Sequence, residues 1–162
     1  MWKFNETRLG QTRIGDVDLA PAVPTGTILI ASHPTYGAGE FIYLKGVADT
    51  ANASWVTYNL DDGGTTLLAA NAIGPVAVAT AATVADRWGW YQISGKAIGR
   101  ALADFADNAN VFATATAGSV DDAVVAGDRV KLAKGASAVG TPSAGLAEFE
   151  ISRPFMDDGL AA

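Results

Sequence analysis

The stretch GLAEFEISR at residues 145–153 decides the fold class, because its side chains alternate between apolar and polar. Ala147, Phe149 and Ile151 fall on one side of an extended chain, and the polar residues between them fall on the other. Successive side chains of a β-strand point to opposite faces of its sheet. The pattern therefore predicts a strand with one buried face and one solvent-exposed face.

Shorter segments of similar character precede this strand along the chain. Each is rich in β-branched, aromatic or other apolar residues, and residues that favour turns separate them. The predicted strands cover residues 27–31, 40–45, 55–59, 75–80, 87–94, 111–116, 123–125 and 129–133. Roughly eight short strands separated by turns imply an all-β fold that is closed or sandwich-like.

Residues 96–106 permit two interpretations. Ile98, Leu102 and Phe105 have the spacing of one helix face, whereas Gly99 within the run and strand-like neighbours favour β-structure. We favour a strand here, with one short helix near residues 97–106 as the alternative. Further along, residues 118–122 have the composition of a turn.

The first 25 residues differ from the rest, since they are polar and end with Pro21 and Pro24. Proline cannot donate a hydrogen bond to a β-ladder, so residues 1–25 are predicted to form an extended N-terminal arm. A β domain at residues 26–155 and a C-terminal tail at residues 156–162 complete the predicted organisation.

Trp2 and Phe4 lie on one face of such an extended arm. We predict that these two rings dock on a neighbouring subunit, and a partly disordered terminus is the alternative. Deleting the arm is then expected to weaken contact with a partner and to leave the domain folded.

The charge of the chain limits its partners. Its 162 residues carry a formal net charge of −6, and the basic residues are not clustered. Nucleic acids and anionic membranes attract grouped basic side chains, so neither is an expected partner.

The chain contains no cysteine, which excludes disulfides, thiolate catalysis and cysteine-ligated metals.

Residues 63–85 contain no charged residue and are long enough in principle to cross a bilayer. However, Gly74 and Pro75 would break a helix in the middle of this stretch, and its many alanines favour membrane insertion only weakly. We therefore predict buried strands and loops here rather than a membrane span.

The sequence lacks the residue patterns of common catalytic and metal sites. His33 is the single histidine, and no G-x-S-x-G elbow accompanies it. Aspartate pairs at 61–62, 121–122 and 157–158 lie in or beside glycine-containing turns and lack calcium-loop spacing. We predict no catalytic, metal-binding or cofactor-binding residues, and a protein that is not an enzyme.

Trp88, Trp90 and Tyr91 form an aromatic cluster in the predicted strand at residues 87–94. Exposed rings of this kind stack on sugars or bases, whereas Gly89 between the tryptophans favours close packing. We predict core and interface packing. A glycan- or surface-binding tail or fibre adaptor module that uses this cluster is the alternative function.

Four segments occur in an order that resembles small virion proteins of tailed bacteriophages, in particular head decoration or cement proteins. They are GEFIYL at 39–44, WGWYQISG at 88–95, ATATAGSVDDA at 113–123 and the stretch at 145–155 that ends in Arg-Pro-Phe. The resemblance spans roughly residues 39 to 155.

This resemblance implies a compact β-barrel or β-tulip-like domain, often trimeric, on the outer surface of a capsid. Such proteins clamp neighbouring subunits of the major capsid protein, and many use terminal arms for contact. The family has no shared catalytic residues to transfer. Candidate partner-binding residues in this sequence are Trp2, Phe4, Arg8, Arg13, Trp88 and Trp90.

Overall fold

The computed structural model describes residues 1–6 and 9–156 and confirms the all-β prediction. Thirteen strands form two antiparallel sheets within this part of the chain. The strands are β1 Lys3–Phe4, β2 Val17–Asp18, β3 Ile28–His33, β4 Gly37–Lys45, β5 Trp55–Tyr58, β6 Thr65–Leu67, β7 Val76–Ala79, β8 Trp88–Gln92, β9 Ser94–Arg100, β10 Asn110–Ala113, β11 Val120–Asp121, β12 Arg129–Gly135 and β13 Leu146–Met156.

The first sheet has eight strands in the order β1-β3-β4-β8-β7-β5-β6, and β2 pairs with β8 beside this path. A parallel bridge between Lys45 and Gly64 links the end of β4 to the start of β6. The Thr65 hydroxyl strengthens this link by donating to the Lys45 carbonyl over 2.8 Å. The sheet therefore curls towards a barrel instead of lying flat.

Because the first sheet curls, it buries both of its faces. The inner face holds Ile42, Leu44, Tyr91 and their neighbours. One part of the outer face, which includes Phe41, Tyr43 and Trp90, packs under the N-terminal segment. The other part of the outer face contributes Trp55, Leu68, Val76 and Val78 to a core shared with the second sheet.

The second sheet has five strands in the order β11-β10-β12-β13-β9. A parallel bridge between Ala101 and Val120 brings its two edges together, so this sheet is also strongly curved. Phe149 of β13 lies in the shared core and meets the Trp55 ring edge-on, with centroids 4.9 Å apart and planes at 89°.

The two sheets are joined at Ile93, which connects β8 directly to β9. Its N–H donates to the Glu40 carbonyl of β4, and its carbonyl accepts from the Arg153 N–H of β13. The side chains of Glu40 and Arg153 form a two-pronged ion pair at 2.9 and 3.2 Å across the same junction. The Arg153 guanidinium lowers the pKa of the Glu40 carboxyl by hydrogen bonding.

The alternating stretch at residues 145–153 is confirmed as a strand with one buried face. Ala147, Phe149 and Ile151 are all buried. The strand continues to Met156, and Arg153 has a φ of +48°, which shifts the alternation by one residue.

The strand favoured over residues 96–106 is confirmed as far as Arg100, where β9 ends. Turns follow, in which Asp104 takes a φ of +70°, and the alternative short helix near residues 97–106 does not form. Two other local predictions were wrong, since residues 123–125 are exposed and belong to no strand, and the predicted turn at 118–122 contains β11. In both places the sequence pattern was too short to fix the backbone.

The apolar stretch at residues 63–85 forms β6, β7 and the turns around them, as predicted. Within the described residues, no helix has the length and apolar character needed to span a bilayer.

Candidate functional site

The described part of residues 1–25 follows the surface of its own domain, with β1 pairing β3 and β2 pairing β8. The Trp2 ring packs edge-on against Phe41 at 5.0 Å, and the Phe4 ring packs edge-on against Trp90 at 4.9 Å. Both rings are partly buried by these contacts. The surface on which we predicted them to dock is thus supplied in the single chain by its own first sheet.

Arg13, one of the two arginines predicted to bind a partner, is not part of this packing. Arg13 is exposed and holds a local turn, since its N–H donates to the Asp16 carboxylate at 3.0 Å. Its guanidinium lies 3.8 Å from the same carboxylate. Arg8 lies outside the described residues. Partner contact by Arg13 stays a prediction.

The aromatic cluster of β8 is mostly core. Trp90 and Tyr91 have no exposed surface, because they face opposite sides of the curled sheet and both sides are covered. Trp88 is half-buried, and the Lys45 ammonium lies 5.7 Å from the centre of its ring. These rings therefore form no open platform, which corrects the ligand interpretation of the cluster and the assignment of Trp90 as a partner contact.

A cleft of about 300 Å³ opens where the N-terminal segment meets the junction of the two sheets. Its walls are mainly apolar and come from parts of the chain that are distant in sequence. The residues that define it are Trp2, Ile14, Tyr36, Gln92, Lys96 and Ile98.

The side chains of Trp2, Tyr36 and Lys96 determine which ligands could bind in this cleft. The rings of Trp2 and Tyr36 are stacked, with centroids 6.5 Å apart and planes at 25°. The Lys96 ammonium lies 5.8 Å from the centre of the Tyr36 ring and 2.6 Å from the Glu148 carboxylate. The hydrogen bond to Glu148 raises the pKa of Lys96, so the cleft carries a fixed positive charge.

His33 connects the N-terminal segment to the turn that follows β3. Its Nδ1 accepts hydrogen bonds from the backbone N–H groups of Thr35 and Tyr36, at 3.0 and 3.3 Å. Its ring stacks on Tyr36 at 4.8 Å and lies 5.3 Å from Trp2. Desolvation and the nearby N-terminal charge of Met1 lower the pKa of His33.

Acidification is expected to loosen this contact. A protonated Nδ1 cannot accept the two backbone N–H groups, and the lowered pKa means that the unfolded chain binds this proton more readily. The contribution of His33 is therefore complete above about pH 6.5 and is lost as the pH falls through its lowered pKa. Tryptophan emission and thermal unfolding between pH 8 and pH 4.5 measure the effect.

The matched control for this prediction is His33→Asn. An asparagine Oδ1 can accept from the residue two positions later and does not titrate. We expect the variant to lose the part of the pH profile that His33 contributes. An unchanged profile in His33→Asn would assign the pH dependence to other groups.

Five exposed apolar side chains lie on β12, on β13 and on the loops that precede β7 and β12. The Asn71 N–H donates to the Asp128 carboxylate, and the Met156 N–H donates to the Gly74 carbonyl, which hold these elements together. The exposed residues are Ile73, Val124, Val125, Leu132 and Phe155, which we call the β12–β13 surface.

Leu132 is the most unusual residue of the β12–β13 surface. It lies in the middle of β12 with a φ of +60°, and its side chain is 65% exposed. The pairing of β12 with β13 shifts register at this point, between Lys131 and Ala133. A leucine held in the left-handed region and turned towards solvent gains nothing from packing in the single chain.

Of the described aspartate pairs, the one at 61–62 lies in a turn, as predicted, and Asp62 accepts from the Gly64 N–H at 2.8 Å. The other pair begins in β11, and Asp122 accepts from the distant Ala106 N–H at 2.9 Å. No group of three histidine, aspartate or glutamate residues could hold a metal ion in this part of the chain. The pair at 157–158 lies outside the described residues.

Sequence reasoning missed the cleft and the β12–β13 surface. Gln92 was the one available signal for the cleft, because a polar residue within a strongly apolar strand requires hydrogen-bond partners. Leu132 gave no signal, since a leucine in a strand is expected to be buried.

Comparison with known proteins assigns no family, since no family model, no curated protein and no solved structure matches the chain.

Proposed function

We propose that this protein is a structural virion protein that decorates and stabilises a bacteriophage capsid by binding its shell of major capsid protein. On this proposal it acts as a homotrimer on the outer surface of the head, after assembly in the host cytoplasm. It has no catalytic role, and it binds neither nucleic acid nor membrane.

The positions of the segments that resemble decoration proteins support the proposal. Residues 39–44 belong to β4, residues 88–95 include β8, and residues 145–155 belong to β13. β4 pairs with β8, and β9, which continues from β8, pairs with β13. Three of the four segments therefore fall on the central ladders of the two sheets, whereas residues 113–123 run from the end of β10 through a turn to the edge strand β11.

The β12–β13 surface is the observation that carries the proposal. Several large apolar side chains are exposed there on elements that hydrogen bond to each other, and exposed apolar surface on connected elements is what a partner protein would cover. A shell protein that covers this surface would bury Leu132 and Phe155, which are 65% and 48% exposed. The net charge of −6 also suits a protein outside the head, because it disfavours contact with DNA.

On this proposal the source is a bacteriophage, and co-sedimentation with shells assembled from its major capsid protein is the test. We expect the protein to pellet with expanded shells at a fixed ratio and to raise their resistance to heat. Electron microscopy of these shells should show added density on the outer surface. A protein that stays in the supernatant at every concentration contradicts the proposal.

Leu132→Gly is expected to raise the stability of the folded protein and to weaken its binding to the shell. Glycine adopts positive φ without strain, so the free energy of unfolding should rise by about 1 kcal/mol. Shell affinity should fall about tenfold or more, because an interface would lose a buried leucine. Urea denaturation and co-sedimentation measure the two effects.

Leu60→Gly is the control for this pair of effects. Leu60 is 70% exposed in the turn between β5 and β6, away from the β12–β13 surface. We expect its replacement to leave shell affinity unchanged. Equal loss of binding in both variants, or none in Leu132→Gly, would remove the β12–β13 surface from the model.

A further inference from the structure

The cleft beside the N-terminal segment has no role in the function proposed above. It lies at the junction of the two sheets, whereas the β12–β13 surface lies on β12, on β13 and on the loops that precede β7 and β12. Its volume of about 300 Å³ is at the lower end of the range for small-molecule sites, which leaves room for a ring-sized ligand.

Gln92 defines the hydrogen-bonding character of the cleft. The side chain is 4% exposed, and its Nε2 donates to the carbonyls of Ser94 and Lys96 at 3.0 and 3.1 Å. Two carbonyl acceptors fix which end of the amide is nitrogen. The Oε1 is therefore the acceptor end of this cleft-lining side chain, and a ligand that meets it must bring an O–H or N–H donor.

Lys96 adds a donor on the same side of the cleft. One of its three N–H groups is directed to Glu148, at 2.6 Å, and the remaining donors can meet ligand oxygens. Because Glu148 and the Tyr36 ring hold the ammonium in place, a ligand hydroxyl would find it already oriented.

Trp2 and Tyr36 supply an aromatic wall next to the Lys96 ammonium, which lies 5.8 Å from the centre of the Tyr36 ring. Both rings are partly exposed and line the cleft, and they lie within 25° of parallel. A ligand that fits must therefore combine an apolar face with a polar edge of donors and acceptors. A purely apolar ligand would bury the Gln92 Oε1 without a hydrogen bond, which is unfavourable.

We propose that this cleft binds a pyranose ring of a short glycan. The C–H face of the ring lies on Trp2 and Tyr36, one hydroxyl donates to the Gln92 Oε1, and a ring or hydroxyl oxygen accepts from Lys96. This activity is additional to shell decoration and would let a capsid surface contact cell-surface glycans.

Saturation-transfer NMR on the full chain tests the proposal, with glucose, galactose, N-acetylglucosamine, maltose, lactose and chitobiose as probes. Sugar concentrations reach about 20 mM, above the millimolar Kd expected of a single-ring site. We expect transfer to the ring protons of at least one sugar. No transfer from any of the six sugars overturns the proposal.

Two variants locate the binding within the protein. Ile98→Trp fills the cleft from β9 and is expected to weaken binding about tenfold or more, while Trp2→Leu removes one wall and should weaken it about tenfold. Trp88→Phe, outside the cleft, should change the Kd by less than about twofold. Circular dichroism confirms that each variant is folded.

Apolar probes separate a glycan site from a simple hydrophobic groove. Indole and cyclohexanol are titrated under the same conditions as the sugars. Sugar binding that survives Ile98→Trp, or binding of the apolar probes without any sugar, overturns the assignment. None of these measurements uses a capsid, so their outcome is independent of the proposed shell binding.

Discussion

Removal of residues 1–25 is expected to leave a domain that unfolds or aggregates at room temperature. Trp2, Phe4 and Val23 cover the outer face of the first sheet, and their loss would expose Phe41 and Trp90, both fully buried in the intact chain. Burial of each large side chain contributes about 1.5 to 3 kcal/mol. The total is comparable to the whole stability of a typical domain, about 5 to 15 kcal/mol.

Urea denaturation and size-exclusion chromatography measure this effect. We expect a lower midpoint or a soluble aggregate for the truncated chain, with red-shifted emission from Trp90. Arg13→Ala is the control within the same segment, because Arg13 is exposed and makes only local contacts. A truncated monomer with unchanged stability would instead support the extended N-terminal arm predicted from the sequence, whose removal leaves the domain folded.

The sequence predicted the long strands because periodicity over many residues identifies one buried face. It could not predict β1 and β2, since strands of two residues carry no periodicity. Pro21 and Pro24 and the polar composition of residues 1–25 suggested an extended, solvent-exposed arm. The rings of Trp2 and Phe4 instead pack on the first sheet and hold the segment against the domain.

β7 illustrates a second limit of sequence reasoning. All of its residues are buried, because Val76 and Val78 face the shared core while Ala77 and Ala79 face the interior of the curled first sheet. The alternation of valine and alanine in β7 therefore reflects a wider space in the shared core and a narrower one inside the curled sheet, and not an exposed face and a buried face. That distinction needs the curvature of the sheet, which no local pattern specifies.

The cleft was unpredictable for a related reason. The cleft residues Ile14 and Tyr36 and the pair Gln92 and Ile98 converge from three separate parts of the chain. Their proximity depends on the strand order β4-β8-β7 and on the continuation of β8 into β9 at Ile93. The resemblance to decoration proteins implied a β-barrel-like domain but not this strand order.

Gly99→Ala is expected to destabilise the protein by about 3 kcal/mol through the packing of Trp55. A Cβ at residue 99 would lie 2.4 Å from the Trp55 Nε1 and 3.0 Å from a ring carbon of Phe149. Both rings are fully buried between the sheets, so neither has space to move aside. Urea denaturation of the folded variant gives the change in the free energy of unfolding.

Trp55→Phe is expected to relieve most of this clash. It removes an indole N–H that is buried without a hydrogen-bond partner in the described chain, so by itself it should cost only about 1 kcal/mol. The double variant should then lose about 2 kcal/mol rather than the additive 4, a coupling of about 2 kcal/mol. Trp90→Phe, in the separate cluster under the N-terminal segment, should combine with Gly99→Ala additively to within about 0.5 kcal/mol. Additive behaviour of the Trp55 pair would mean that contacts other than the indole ring, such as the Phe149 ring carbon 3.0 Å away, oppose a Cβ at residue 99.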